Sequence, residues 1–204
     1  MPSVPRSQDS RARFRRAADW FLVATLVDLV ECPGDNNRTV GKRGWRMTIN
    51  VRAAGSEDVQ ALVVLNRSVQ ELHLAHQPDY FKDADSRSVA DWFSSMLQNP
   101  DVRVWVGEVG SVPAGYALTM TRDRPENAFC FGRRFCEIDQ IAVSPAFRRR
   151  GVARALIQRV LEDARLRTLP DVELTSWCFN GDAHESFRAL GFTQKVTRFG
   201  RKSS

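Results

Sequence analysis

The stretch Ile141-Ala-Val-Ser-Pro-Ala-Phe-Arg-Arg-Arg-Gly-Val-Ala-Arg-Ala-Leu156 runs an apolar strand through a basic, glycine-containing turn into an amphipathic helix. A strand ending at Val143 and a helix opening near Gly151 leave several backbone N–H groups unpaired at the helix N-terminus, where the macrodipole is also positive. Such a turn is built for an anion, and a diphosphate fits it. Arg148, Arg149 and Arg150 add charge, Gly151 allows close backbone approach ahead of Val152, and Ala153 keeps the first turn small. The plainer alternative for the arginines is a solvated cluster ahead of a helix.

Outward from this turn the 204-residue chain reads as an α/β protein. Thr48 to Arg52 alternates like a strand, and Ser56 caps a helix whose apolar positions Val59, Leu62, Val63, Val69 and Leu72 also include Asn66. Ser86 caps a second helix. Val102–Val109 and Ala114–Thr121 form a hairpin about Gly110-Ser111. Arg122–Arg134 reads as a long loop at a sheet end, and Phe135–Val143 as the next strand. The helix after Gly151 stops at Leu169-Pro170. Val172–Cys178 follows as a parallel neighbour of the preceding strand, because a helix separates them. A short helix, Asp182–Leu190, ends at Gly191 in the place of a left-handed cap, and Phe192–Phe199 is the last predicted strand.

Charge and cysteine content narrow the function classes. The net charge is +6, but residues 1–46 hold nine Lys/Arg against five Asp/Glu, leaving the body with 21 against 19. A basic tail on a nearly neutral body argues against nucleic acid as the partner. The apolar run Trp20–Val27 after Arg11, Arg13, Arg15 and Arg16 is broken by Asp28 and is too short to span a bilayer, so no stable membrane association is expected. Residues 1–46 are read as an extension outside the domain, loosely ordered or absent from the working protein, and residues 47–204 as the domain. Cys32, Cys130, Cys136 and Cys178 show no metal-ligand spacing, so no metal site is expected. Reduced, packed thiols in a cytoplasmic protein are the main reading, with a Cys130–Cys136 disulfide as the alternative.

The order strand, two helices, three strands, helix, strand, helix, strand resembles the GNAT superfamily of acyl-CoA-dependent N-acyltransferases over about residues 48–200. Arg148-x-x-Gly151-x-Ala153 resembles the family's pyrophosphate turn. Asp139-Gln-Ile-Ala-Val143 is similar to the central strand whose backbone pairs with the pantetheine amides, and Asn180-x-x-Ala183 through Leu190-Gly-Phe192 resembles the C-terminal signature. The resemblance implies a mixed sheet of six to seven strands, with splayed central parallel strands and about four flanking helices. It implies acetyl-CoA lying between Ile141-Ala142-Val143 and the strand that ends at Cys178, with Asn180, Ala183 and Phe187 beside the pantetheine arm. The expected reaction is transfer of acetyl to a primary amine, on a small molecule or a peptide, by direct attack in a ternary complex.

Glu137, then Asp139, are the candidates for the base that takes the amine proton. In an unbroken strand both would share the face of Ile141 and Val143, and one could instead pair with an arginine of the Arg122–Arg134 segment. The resemblance places an acidic tyrosine where this chain has Phe187, so the thiolate leaves unassisted or through water, Ser186 or His184. An acyl-CoA-binding protein with weak catalysis is therefore the alternative function. His73 and His76, with Tyr80 and Phe81, fall where the resemblance places part of the acceptor cleft; an ordinary helix-end role competes. An exposed sheet edge near the C-terminus could pair across a homodimer or stay capped.

Overall fold

The structure, a computed structural model, describes residues 48–203, so the reading of residues 1–46 lies outside the described residues. Five strands form one mixed sheet in the order β1 to β5: β1 (Ile49–Ala53), β2 (Val102–Val109), β3 (Val112–Arg124), β4 (Arg133–Val143) and β5 (Val172–Leu174). The first four are an antiparallel meander, and β5 joins β4 in parallel. Among the described residues four α-helices flank the sheet: α1 (Val59–His76), α2 (Ser86–Leu97), α3 (Val152–Leu166) and α4 (Gly181–Ala189).

Each face of the sheet carries its own core. On one side Leu62, Leu65 and Val69 of α1 and Phe93 of α2 meet Val104, Val106, Tyr116 and Leu118. On the other, Val152, Leu156, Ile157 and Val160 of α3 meet Trp105, Ala117, Ile138, Ile141 and Val143, and Phe187 of α4 joins them. Burying both faces removes a large apolar area from water, which is the main force holding the layers together. Arg52 ties β1 to the turn ahead of α1, gripping Asp58 through two bonds of 2.7 Å and Glu108 of β2 at 2.9 Å. This ion pair holds the Asp58 carboxyl below its usual range.

A glycine pair sets how closely α3 approaches the sheet. Gly107 and Gly115 are cross-strand partners. A Cβ on Gly115 would lie 2.6 Å from the Ala142 carbonyl oxygen and 3.2 Å from Val152, and one on Gly107 would also lie 3.2 Å from Val152. The first turn of α3 therefore seats in a slot that side chains would fill.

Several boundaries differ from expectation. The second helix is capped by Asp85, which accepts from the Ser88 N–H at 2.9 Å, rather than by Ser86. β3 continues to Arg124, so Arg122 lies in a strand and the loop shrinks to residues 125–132. Cys130 and Cys136 are unbridged, and only Cys136 of the described cysteines is buried.

The expected six to seven strands reduce to five among the described residues. Residues 192–199 form no ladder, and β5 stops at Leu174 instead of Cys178. A three-residue edge strand offers few backbone partners. The last segment is held to β5 by side chains instead, Lys195 Nζ lying 2.9 Å from Glu173 and 3.8 Å from Asp171, while Val196 and Phe199 stay exposed.

Replacing Gly115 by alanine is expected to destabilise the fold by about 1–3 kcal/mol, the usual range for overpacking, when measured by urea unfolding. Gly181→Ala, whose Cβ would meet nothing within 4 Å, serves as the control and should be near neutral. Equal stability of the two variants would contradict the slot.

Candidate active site

The turn after β4 has the predicted geometry. Gly151 adopts φ +84° and caps α3, and Arg149 before it is also left-handed at φ +60°. Two positive-φ residues separated by Arg150 fold the backbone tightly, so that the N-terminus of α3 faces the end of β4. Val152 and Ala153 are buried under this turn, while Arg149 and Arg150 are exposed.

Beside it, a cleft of about 370 Å³ brings together Val143, Arg148, Asn180 and the start of α4 with Ser68, Val69, Leu72 and His76 of α1. Two polar groups in it are shielded and lack partners within the protein: Arg148 Nε and Asn180 Nδ2. Asn180 is only 4% exposed, so its amide carries a desolvation cost that a ligand accepting its hydrogen bond would offset. The β4–β5 ladder covers only Cys136–Ile138 against Val172–Leu174. Among the described residues β4 has no strand on its β5 side from Asp139 to Val143, as the family resemblance implies.

Ile141, Ala142 and Ala183 are buried around this opening. Phe187 is buried too, packed edge-on against Phe192 with ring centres 6.0 Å apart. Gly191, at φ +90°, ends α4 as predicted, and the Phe192 N–H bonds the Phe187 carbonyl at 3.0 Å, closing a left-handed cap. Ser186 is fully buried on the same helix.

The strand register slips between Leu118 and Thr119, which face Gln140 and Ile138 respectively. Asp139 is thus an extra residue in β4, a bulge. Cys136, Ile138, Ile141 and Val143 all pack toward α3, whereas Ala142 packs toward α1 and Gln140 bonds Asn66 of α1. The bulge changes the parity, so Glu137 does not share the face of Ile141 and Val143. It turns toward the α1 side, where Arg122 Nε donates to it, and Arg122 Nη2 lies 3.9 Å from Asp139. Asp139 is 5% exposed; burial, then the nearby charge of Glu137, pushes its carboxyl up to about 7, against the opposing pull of Arg122.

The histidines divide. His73 is fully buried and stacks on Phe81 at 4.6 Å; burial and the neighbouring His76 push it down to about 4, so it is neutral near pH 7 and cannot carry charge to a substrate. His76 stacks on Phe179 at 4.4 Å at the cleft wall. Tyr80, Phe81, Trp177 and Phe179 interlock, tying the end of α1 to the segment after β5. Arg122 is an arginine of the Arg122–Arg134 segment expected to pair with one of the carboxylates, and it does so; Phe179 and Gln140 carry no spacing signal, because they meet their partners only across elements. Asn66 alone left a trace, as a polar residue in an apolar helical stripe.

The site is thus a mixed sheet opened beside a helix N-terminus, with two carboxylates on the opened strand. The profile of the Acetyltransferase (GNAT) family matches residues 67–192, more than half of the chain, and the chain belongs to that family. It is 32% identical over 104 residues to the uncharacterized N-acetyltransferase MJ1207 of Methanocaldococcus jannaschii, covering 51% of this chain and 45% of that protein. It is 29% identical over 128 residues to N-acetyltransferase 8F1 of Rattus norvegicus, covering 62% and 56%. The chain therefore spans about half the length of these curated relatives. Among solved structures, a tetramutant of the BH1408 protein of Bacillus halodurans superposes with a TM-score of 0.71 at 18% identity, covering 75% of this chain and 99% of that one. The aminoglycoside N-acetyltransferase AAC(6')-Iy in complex with CoA gives 0.61 at 20% identity, covering 81% and 100%.

The raised Asp139 carboxyl makes a stability prediction. An unfolded aspartate ionises near ~3.9, while the folded one holds its proton to about 7. The unfolded chain thus releases this proton first, and the contribution of Asp139 to stability falls as pH rises through that window. Asp139→Asn should therefore be more stable than the parent at pH 8 and close to it at pH 4 in urea titrations; the reverse order would show that Asp139 ionises normally.

Proposed function

We propose that this chain is an N-acyltransferase moving an acetyl group from acetyl-CoA to a primary amine by direct attack within a ternary complex. The observation that carries the reading is the unpaired β4 edge, with the unsatisfied Asn180 amide and Arg148 Nε at one cleft beside the N-terminus of α3. An amide-bearing arm would take its hydrogen bonds from the backbone of Ile141, Ala142 and Val143 and from Asn180. Its diphosphate would lie on the first turn of α3, at Gly151, Val152 and Ala153, with Arg148, Arg149 and Arg150 supplying charge. Ala183 and Phe187 supply the apolar wall. The CoA-bound AAC(6')-Iy structure and a predicted acetyltransferase of Clostridium acetobutylicum with acetyl-CoA support the choice of thioester.

For the chemistry, Asp139 is the better placed of the two carboxylates. Glu137 is committed to Arg122, whereas Asp139 sits at the bulge with a carboxyl near 7, matched to proton transfer at neutral pH. Asp139 accepts one proton of the acceptor ammonium, the freed amine attacks the thioester carbonyl, and as the tetrahedral adduct collapses its nitrogen gives a second proton to solvent while the C–S bond breaks and the thiolate departs. Phe187 cannot protonate it, so solvent supplies that proton. Glu137 keeps Asp139 basic through its charge.

The buried Phe187 also favours a second reading, an acyl-CoA-binding member with weak turnover. The acceptor is a small-molecule or peptide amine, and aminoglycosides belong in any screen because AAC(6')-Iy takes them as its name states. No helix among the described residues is long and apolar enough to cross a membrane. A cytoplasmic site of action fits the proposed use of acetyl-CoA.

A thiol-release assay over amines, peptides, polyamines and aminoglycosides tests the proposal. With an active acceptor, kcat/KM should rise with pH through about 7, and Asp139→Asn should lower kcat about 100-fold, with Glu137→Gln lowering it less. Asn180→Ala should weaken acetyl-CoA binding about 3- to 10-fold, the worth of one hydrogen bond, without lowering the melting temperature. Binding without turnover on any amine would select the second reading.

A further inference from the structure

Asn66, Tyr116 and Gln140 form a closed hydrogen-bond triad between α1, β3 and β4. Tyr116 Oη donates to Gln140 Oε1 at 2.6 Å, and Asn66 Nδ2 donates to Tyr116 Oη at 2.9 Å and to Gln140 Oε1 at 3.3 Å. All three are more than nine-tenths buried, at 7%, 0% and 2% exposure. A polar triad in an apolar layer is costly unless every member is satisfied, and here each member bonds both of the others. Core filling alone does not require it, since three apolar residues would serve.

Its position gives it a task. Gln140 is the residue immediately after the bulge, and Tyr116 stands opposite Ala142 on β3. A strand with an extra residue can release it by slipping one register, which would swap the two faces of everything beyond it. Anchoring Gln140 on the α1 side blocks that slip. We infer that the Asn66–Tyr116–Gln140 triad is a positioning device, locking the β4 bulge so that the Asp139 carboxylate stays on the α1 side with Glu137 and Arg122.

The structural part of this inference stands apart from the chemistry, and its catalytic meaning rests on the assignment of Asp139 as base. The charged and titratable groups acting on Asp139 are Glu137 on its own strand and Arg122 on β3, and Tyr116 in turn feels the Asp139 charge. Loosening the bulge would let water reach Asp139 and lower the pH at which it ionises.

Tyr116→Phe is the sharpest probe, because it deletes one hydroxyl and retains the ring packed edge-on against Phe93 at 5.6 Å. Asn66→Ala removes the donor from the α1 side and serves if the first variant folds poorly. The readout is the titration of the Asp139 carboxyl by 13C NMR, assigned with Asp139→Asn, together with kcat and KM. The expected result is a midpoint lower by about half a pH unit or more, kcat down about tenfold through misplacement of the base, and KM for acetyl-CoA within about twofold because the triad does not line the CoA cleft. A midpoint and kcat unchanged in both variants, with Asp139→Asn inactive, would overturn the inference. Full activity in Asp139→Asn with a shifted midpoint in Tyr116→Phe would instead sink the base assignment and leave the positioning role intact.

Discussion

Between Ile138 and Gln140, β4 carries one residue more than β3 can match, and the architecture of the site follows from that mismatch. Before the bulge, Cys136 and Ile138 pack toward α3; after it, Ile141 and Val143 do so too, while Glu137 and Gln140 turn toward α1. One inserted residue thus keeps the apolar run against α3 and places both carboxylates on the opposite face, around Arg122. The parallel ladder to β5 also ends at Ile138, so the strand edge opens where the bulge begins. Opened edge and buried carboxyl are two results of the same local geometry.

The anion turn depends on a different constraint, the depth at which α3 sits. Gly107 and Gly115 let Val152 press onto the sheet, and this brings the first turn of α3 level with the end of β4. Gly151 and Arg149, both left-handed, then bend the chain sharply enough to aim the helix N-terminus at the cleft lined by Arg148 and Asn180. Unsatisfied polar groups at Asn180 and Arg148 are retained there at a cost to the folded chain, the kind of local compromise that functional sites carry.

Much of this was legible in the sequence where chemistry is local. The strand-to-helix turn at Arg148–Ala153, the cap at Gly191 and the hairpin at Gly110 each need a residue type at a fixed offset, and all three form as read. The long-range features were not legible. A bulge leaves no compositional mark, so the faces of Glu137 and Asp139 could be stated only for an unbroken strand. Arg122 joined a strand because β3 runs on to Arg124, opposite Arg133 of β4. Residues 192–199 hold Phe192, Thr193, Val196, Thr197 and Phe199, types common in strands, yet residue type does not supply a partner, and the short β5 edge gives the segment no ladder. Asn66, Tyr116 and Gln140 lie on three elements, and only folding brings them together.

The central claim is that the opened β4 edge and the turn into α3 are one binding surface for acyl-CoA. Amide hydrogen exchange on the full chain, with and without saturating acetyl-CoA, tests it most directly. The account predicts that added acetyl-CoA slows exchange at residues 139–143 and 151–154 together, with little change on β1 and β2. Saturable binding that leaves both segments unchanged, or no binding at millimolar acetyl-CoA, would contradict it.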